Sequence, residues 1–319
     1  MGDLLLFRLG GLGDLLVVLP SIALARLTRR TGRLTLVCRA EYGILLREAG
    51  LVHALVDVAS REAAHFFAAA PSWTAGEKSE LARYDGIFAW LQKASVFPPV
   101  AAARSAGVAT ARAISPPAGL QVPLSRFFFD VTATLLGYSA AAPPSFEVFS
   151  RLPVGAERRQ AALRDFDLHD AGGVGVRYAV IHPGSGSPSK CWPLSGFISV
   201  AERLSSAGMR GVVVTGEAEE RPDAELRPVG LPAGWSWRAR PPLMELAGLL
   251  AGATIYVGND SGVTHLAAAS GAPAVAIFRS EHATLWRPYG RVRLIDAESV
   301  EMIPVASVLS AIGSLIPGF

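Results

Sequence analysis

The 319 residues exceed what one hydrophobic core usually organises and suit two domains of ordinary size. Half of the chain is apolar, charged residues make up 18% against the roughly 25% usual for soluble domains, and 32 glycines with 22 prolines fall short of low-complexity levels, which excludes disorder. The 30 basic and 27 acidic side chains leave a net charge of +3, which mildly favours anionic ligands and is far below that of a dedicated nucleic-acid binder.

The longest apolar stretch, Leu15 to Ala25, meets Arg26 short of the roughly 18 to 20 residues of a membrane helix. The start Met-Gly-Asp lacks the basic flank of a signal peptide. A cytoplasmic protein without a transmembrane segment is expected. Cys38 and Cys191 are too few for a disulfide framework or a zinc cluster, and both are expected as reduced thiols.

In chain order, Leu4 to Leu9 reads as a short apolar strand, closed by a glycine turn (Gly10, Gly11, Gly13) and followed by a helix over Leu15 to Arg29. Leu34 to Cys38, Ala54 to Val58 and Gly86 to Leu91 are further strand-length runs with alanine-rich helical stretches between them. From Ser139 to Val154 periodicity disappears among prolines and glycines, which marks the linker between a domain of residues 1–150 and one of residues 151–319. The second half restarts the pattern: Tyr178 to Ile181 is a strand, Gly184 to Ser189 a loop, and Leu194, Phe197, Ile198, Ala201 and Leu204 share a helical face. Gly211 to Thr215, Thr254 to Val257 and Ala274 to Phe278 are strands, Leu243 to Leu250 is a helix, and Thr264 to Ala269 is a helix closed by Gly271. Strands alternating with helices predict an α/β protein of two Rossmann-like domains facing each other across a cleft.

Three strand-to-helix loops carry the chemistry. Gly10-Gly11-Leu12-Gly13-Asp14 lacks the third glycine of the dinucleotide fingerprint, because that position is Leu16. It is either a tight turn or a ligand loop, and Asp14 either points into the cleft or caps the next helix. The loop from His182 to Lys190 fails the nucleoside-triphosphatase pattern, since Ser189 and Cys191 flank Lys190. Its backbone amides and one ammonium suit an anion, with a solvated lysine as the alternative. Ser261 and Gly262, in Gly258-Asn259-Asp260-Ser261-Gly262-Val263-Thr264-His265, open a helix whose free N–H groups favour a phosphate, a role compatible with plain capping by Asp260 or Ser261. Asp165-Phe166-Asp167 matches the D-x-D pattern of metal-dependent sugar transfer but reads as solvated surface, and the six histidines show no ligand spacing, so no metal is expected.

Taken together, Arg8 to Asp14, His182-Pro183-Gly184 with Lys190-Cys191-Trp192-Pro193, Gly258 to Gly262 with His265-Leu266-Ala267, and Trp286-Arg287-Pro288-Tyr289-Gly290 resemble glycosyltransferase family nine, the ADP-heptose:lipopolysaccharide heptosyltransferases. The resemblance implies the GT-B architecture and metal-independent, inverting transfer of a heptose from ADP-heptose to a hydroxyl of the lipopolysaccharide core. It implies an acceptor-side first domain and a second domain that binds the nucleotide sugar. Asp14 matches the general base, with Gly10, Gly11 and Gly13 in the acceptor loop. Lys190 matches the phosphate-binding lysine, Ser261, Gly262 and Val263 the amides around the diphosphate, and Glu220 the carboxylate on the ribose. Ser185, Ser187 and His265 match further donor-binding positions.

No cofactor is implied besides the substrate nucleotide sugar. The acceptor partner is a glycolipid or glycan at the cytosolic face of the inner membrane, where the protein would be peripheral. The chain departs from the family at Gly10 and Gly11, where many relatives carry Ser, at Arg279-Ser280-Glu281-His282 in place of Gly-Pro-Thr-Asp, and over Leu91 to Ser95. The alternatives are transfer of another nucleotide sugar to a non-lipopolysaccharide acceptor, or a catalytically silent GT-B binding module.

Overall fold

The computed structural model describes residues 2–319 apart from 30, 68–72, 94, 109, 140–144, 170–174 and 217–229 and the side chain of His65. The chain divides into two compact units, residues 1–150 and 151–319.

The first unit is built on five parallel strands, β1 (Leu4–Phe7), β2 (Leu34–Cys38), β3 (Ala54–Asp57), β4 (Gly86–Trp90) and β5 (Thr110–Ile114), in the order β3-β2-β1-β4-β5. Leu4 pairs in register with Leu34 on one side and Gly86 on the other. Every residue of β1 and β4 is buried, as expected of central strands covered on both faces. Leu5, Phe7, Ile87 and Ala89 pack with Phe97, Val100 and Ala103 in one core cluster.

The single helix expected over Leu15 to Arg29 is two, α1 (Leu12–Val17) and α2 (Leu19–Thr28). Pro20 is the cause: it lacks the N–H that would reach back to the α1 carbonyls, so the first helix ends at Val17, capped by Val18, and the second starts with Pro20 in its opening turn. Helix α1 begins earlier than expected, which puts Gly13 and Asp14 inside its first turn rather than in the loop. Within the expected linker, Phe146–Phe149 forms a short helix whose Phe146 ring meets Phe129 edge-on at 5.1 Å, so the chain there belongs to the first unit's core.

The second unit carries six parallel strands, β6 (Tyr178–His182), β7 (Arg210–Thr215), β8 (Trp235–Ala239), β9 (Ile255–Asn259), β10 (Ala274–Arg279) and β11 (Val292–Ala297), in the order β11-β10-β9-β6-β7-β8. Ile181, Val213, Val257, Val275 and Ile277 meet Phe197 and Leu204 of helix Leu194–Ser206 and Val308 and Ile312 of helix Val305–Leu315 in a common core.

Strands β5, β8 and β11 are missing from the sequence reading. All three are sheet edges, partly exposed, and carry Arg112, Arg238, or Arg293 with Asp296, which dilutes the apolar run that marks an interior strand. Both sheets are doubly wound and reverse their strand order at one point, between β1 and β4 in the first and between β6 and β9 in the second. Ligands of such sheets bind at the carboxyl ends of the strands flanking that point.

Candidate functional site

The first unit's switch point is occupied by Asp14. Gly11 is the N-cap of α1, and its N–H donates to Asp14 Oδ2 at 2.9 Å, so the carboxylate reaches back over the helix start as the acidic half of a capping box. The capping reading of Asp14 therefore holds, but it is only part of the arrangement. Arg8, at the end of β1, donates from Nη2 to Asp14 Oδ1 at 2.8 Å and from Nε to the Asp14 backbone carbonyl at 2.8 Å. Its third contact, from Nη1 to the carbonyl of Trp90 at 2.9 Å, ties the β1 loop to the end of β4. Gln92, just after β4, donates from Nε2 to the same Asp14 Oδ1 at 2.7 Å.

The Arg8 side chain is 1% exposed and that of Asp14 15%. Burial pulls the guanidinium's pKa below its ordinary value, and the facing Asp14 carboxylate pushes it back up. The guanidinium also lies 5.4 Å from the ring centre of Phe128. Gly10 has φ +117°, and a Cβ there would fall 2.4 Å from Asp14 Oδ2, so only glycine lets the loop pass this close to the carboxylate.

Arg8 corrects the reading of Leu4 to Leu9 as a uniformly apolar run: β1 ends at Phe7, and a buried charge follows it. The sequence alone gives neither Arg8 nor Gln92 a role. The available signal was the buried cation itself, since a charge inside an apolar run needs a partner.

The second unit's switch point brings together the loop after β6 and the loop after β9. Lys190 Nζ lies 2.7 Å from Asp260 Oδ2, with the lysine side chain 28% and the aspartate 8% exposed. The lysine is thus ion-paired rather than merely solvated. Asp260 is not the helix cap. That role belongs to Ser261, whose hydroxyl accepts the N–H of Thr264 at 3.4 Å at the start of helix Gly262–Ser270. Ser185, buried, donates its hydroxyl to the backbone carbonyl of Asp260 at 2.6 Å, so it ties the two loops together. Asn259, fully buried, accepts the N–H of Trp192 at 3.1 Å and donates to the carbonyl of Pro183 at 2.7 Å, clamping both ends of the loop that carries Lys190.

Ser261 Oγ also lies 3.3 Å from His182 Nδ1. Gly262 and Val263 are part-exposed in the first turn of the helix, while His265 is buried one turn in. Ser187 sits on the rim of the loop with its hydroxyl 3.0 Å from that of Ser189. Glu220 lies outside the described residues.

Asp165 ends helix Ala156–Asp165 and Asp167 follows it; both are exposed, and Asp167 faces His169 at 3.5 Å. Among the described residues no group of three or more His, Cys, Asp or Glu is gathered as metal ligands. Also among them, no helix is long and apolar enough to cross a membrane.

Residues 103–298 match the sequence family described as glycosyltransferase family 9 (heptosyltransferase). The chain belongs to that family. It is 27% identical over 173 residues to lipopolysaccharide heptosyltransferase 3 of Escherichia coli, covering 46% of this chain and 49% of the relative. It is 34% identical over 140 residues to lipopolysaccharide heptosyltransferase 1 of Pseudomonas aeruginosa, covering 43% of this chain and 36% of that one. The chain thus spans about half the length, or less, of the curated relatives it matches.

Among solved structures, E. coli ADP-heptose lipopolysaccharide heptosyltransferase II superposes with a TM-score of 0.75 at 17% identity, covering 98% of each chain. An E. coli heptosyltransferase solved with ADP superposes with a TM-score of 0.69 at 18% identity, covering 99% of this chain and 100% of that one. The fold of this family member is accordingly α/β, of the GT-B type.

Proposed function

We propose that the protein is an inverting, metal-independent glycosyltransferase that moves a heptose from ADP-heptose to a hydroxyl of the lipopolysaccharide core. The observation that carries the reading is Asp14, a carboxylate held at a sheet's switch point by Arg8, Gln92 and the Gly11 amide, in a chain of the heptosyltransferase family. The acceptor oxygen attacks the anomeric carbon as the bond from that carbon to the ADP phosphate oxygen breaks, with inversion through an oxocarbenium-like state. The acceptor proton passes to Asp14. An ionised aspartate is a weak base, so proton transfer is late and concerted with attack.

The leaving diphosphate gains negative charge, which Lys190 and the amides at Ser261, Gly262 and Val263 stabilise in place of a metal. Ser187 and His265 line the donor, Ser185 keeps its loop in register, and Glu220 binds the ribose. No cofactor is needed. The acceptor is a glycolipid presented at the cytosolic face of the inner membrane, where the enzyme works as a peripheral protein.

Single-turnover assays with ADP-heptose and a panel of core acceptors, with and without excess EDTA, test the reading. Transfer that persists in EDTA and gives an inverted anomer is expected. Transfer only from another nucleotide sugar, or only to an acceptor outside the lipopolysaccharide core, replaces the substrate assignment. Loss of turnover restored by Mg²⁺ or Mn²⁺ overturns the metal-free mechanism, and no transfer with any pair leaves a binding module.

A further inference from the structure

We infer that Arg8 and Gln92 are positioning residues that lock one oxygen of Asp14 and leave the other, Oδ2, as the atom that receives the acceptor proton. The inference rests on the proposed role of Asp14 and goes beyond it by assigning the two oxygens different tasks. An ionised carboxylate offers about four acceptor directions, two on each oxygen. Oδ1 receives both Arg8 Nη2 at 2.8 Å and Gln92 Nε2 at 2.7 Å, which uses both of its directions. Oδ2 receives the Gly11 N–H at 2.9 Å and, among the described residues, no second donor, which keeps one direction open. It is also the oxygen toward which Gly10 presents no side chain, since a Cβ at that residue would sit 2.4 Å away.

Arg8 is suited to hold rather than to react. Its guanidinium has a rigid fork, is almost wholly buried, and donates to three fixed acceptors, the carbonyl and Oδ1 of Asp14 in α1 and the carbonyl of Trp90 in β4. Gln92 is exposed and has no such packing duty, so its hydrogen bond to Asp14 is its distinguishing contact. Among the described residues, Arg8 is the charged group in contact with the carboxylate; Gln92 and the Gly11 amide are neutral.

Two measurements on the full chain test this. Thermal melts of Arg8→Gln, Gln92→Ala and Asp14→Asn, singly and in pairs, report the contacts without any substrate, and non-additive shifts are expected for each pair that includes Asp14. Steady-state kinetics then report positioning. Gln92→Ala is expected to lower kcat about 10- to 100-fold while KM for the nucleotide sugar stays within about twofold, because a small displacement of a reacting group costs rate and not donor affinity. Arg8→Lys, which restores the cation without the fork, is expected to recover part of the rate lost in Arg8→Gln. Additive melts overturn the inference whatever the enzyme transfers. A kcat for Gln92→Ala within about threefold of the wild type, in an enzyme that Asp14→Asn silences, overturns it too. If the wild type transfers no sugar, the proposed function fails by itself, and the melts decide whether the carboxylate is held as described.

Discussion

Lys190 Nζ and Asp260 Oδ2 lie 2.7 Å apart, joining the loop after β6 to the loop after β9 at the switch point of the second sheet. The ammonium that would meet a diphosphate is thus already held by a carboxylate, and Asn259 and Ser185 fix the two loops around it. In the proposed transfer, such preorganisation would lower the cost of ordering the lysine as charge develops on the leaving group.

Lys190→Ala is therefore expected to act twice. Turnover should fall by roughly 10² to 10³, with weaker ADP binding, as for other deleted transition-state donors. The almost buried Asp260 also loses its cation, so the unfolding free energy should drop by about 1–3 kcal/mol. Calorimetry with ADP and denaturant melts on one preparation check both. Unchanged ADP affinity beside unchanged turnover would remove Lys190 from the donor site.

Gly10→Ala tests the close approach at the first switch point. The backbone at φ +117° disfavours any L-residue, and the added Cβ would stand 2.4 Å from Asp14 Oδ2 and 2.7 Å from its Cγ. Strain of about 1–3 kcal/mol is expected in melts, with displacement of the carboxylate and a loss of transfer of about 10²-fold or more. Gly11→Ala is the stability control, because its Cβ would meet nothing closer than Asp14 Oδ2 at 3.9 Å. Equal melting temperatures for the two variants would contradict the geometry.

The interior of both sheets is legible in the sequence because a central strand buried on both faces reads as an unbroken apolar run, as in Leu4 to Phe7 or Ala274 to Phe278. The glycine and serine loops at the strand ends are legible as well, since their small residues stand next to each other in the chain. What holds those loops is not. Gln92 and Asp14 are 78 residues apart, Ser185 and the Asp260 carbonyl 75, and Asn259 and Trp192 67. No local pattern encodes a contact at that separation; strand order decides it. Asp260 shows the same limit from the other side. Its place before a helix suggests a cap, yet the serine after it caps the helix and frees the carboxylate to bind Lys190.

His53 gives a pH dependence of known sign. Its Nδ1 accepts the N–H of Leu34 at 2.9 Å, a bond that requires an unprotonated nitrogen. Partial desolvation, then Arg26 and Arg33, pull its pKa below 6.5, against the opposing pull of Asp3. The folded state binds this proton less tightly than the unfolded chain, so the stabilisation is full above 6.5 and is lost as pH falls through the lower folded value. Titration of the imidazole C–H resonances by NMR should give a midpoint below 6.5. A midpoint at or above that value would show that the Leu34 contact does not persist in solution.

Asp14→Asn is the most direct test of the mechanism, and the structure changes what it should do to the fold. Near-isosteric replacement alone would predict little loss of stability. Yet three donors converge on this side chain, from Arg8, Gln92 and the Gly11 amide, and asparagine offers one oxygen and a donating NH₂. Whichever way the amide turns, an N–H faces another N–H, and the Arg8 guanidinium, 1% exposed, is left without a counter-charge. A loss of about 1.5–3 kcal/mol is expected, in the range of hydrogen bonds to charged groups. Transfer should fall by about 10² to 10⁴, the usual contribution of a general base, while ADP binding, assigned to the second unit, stays unchanged. Melting temperature, transfer rate and ADP affinity measured together separate the roles. A lowered melting temperature beside transfer within about threefold of the wild type would leave Asp14 as a helix cap and partner of Arg8, and the base would have to be sought elsewhere.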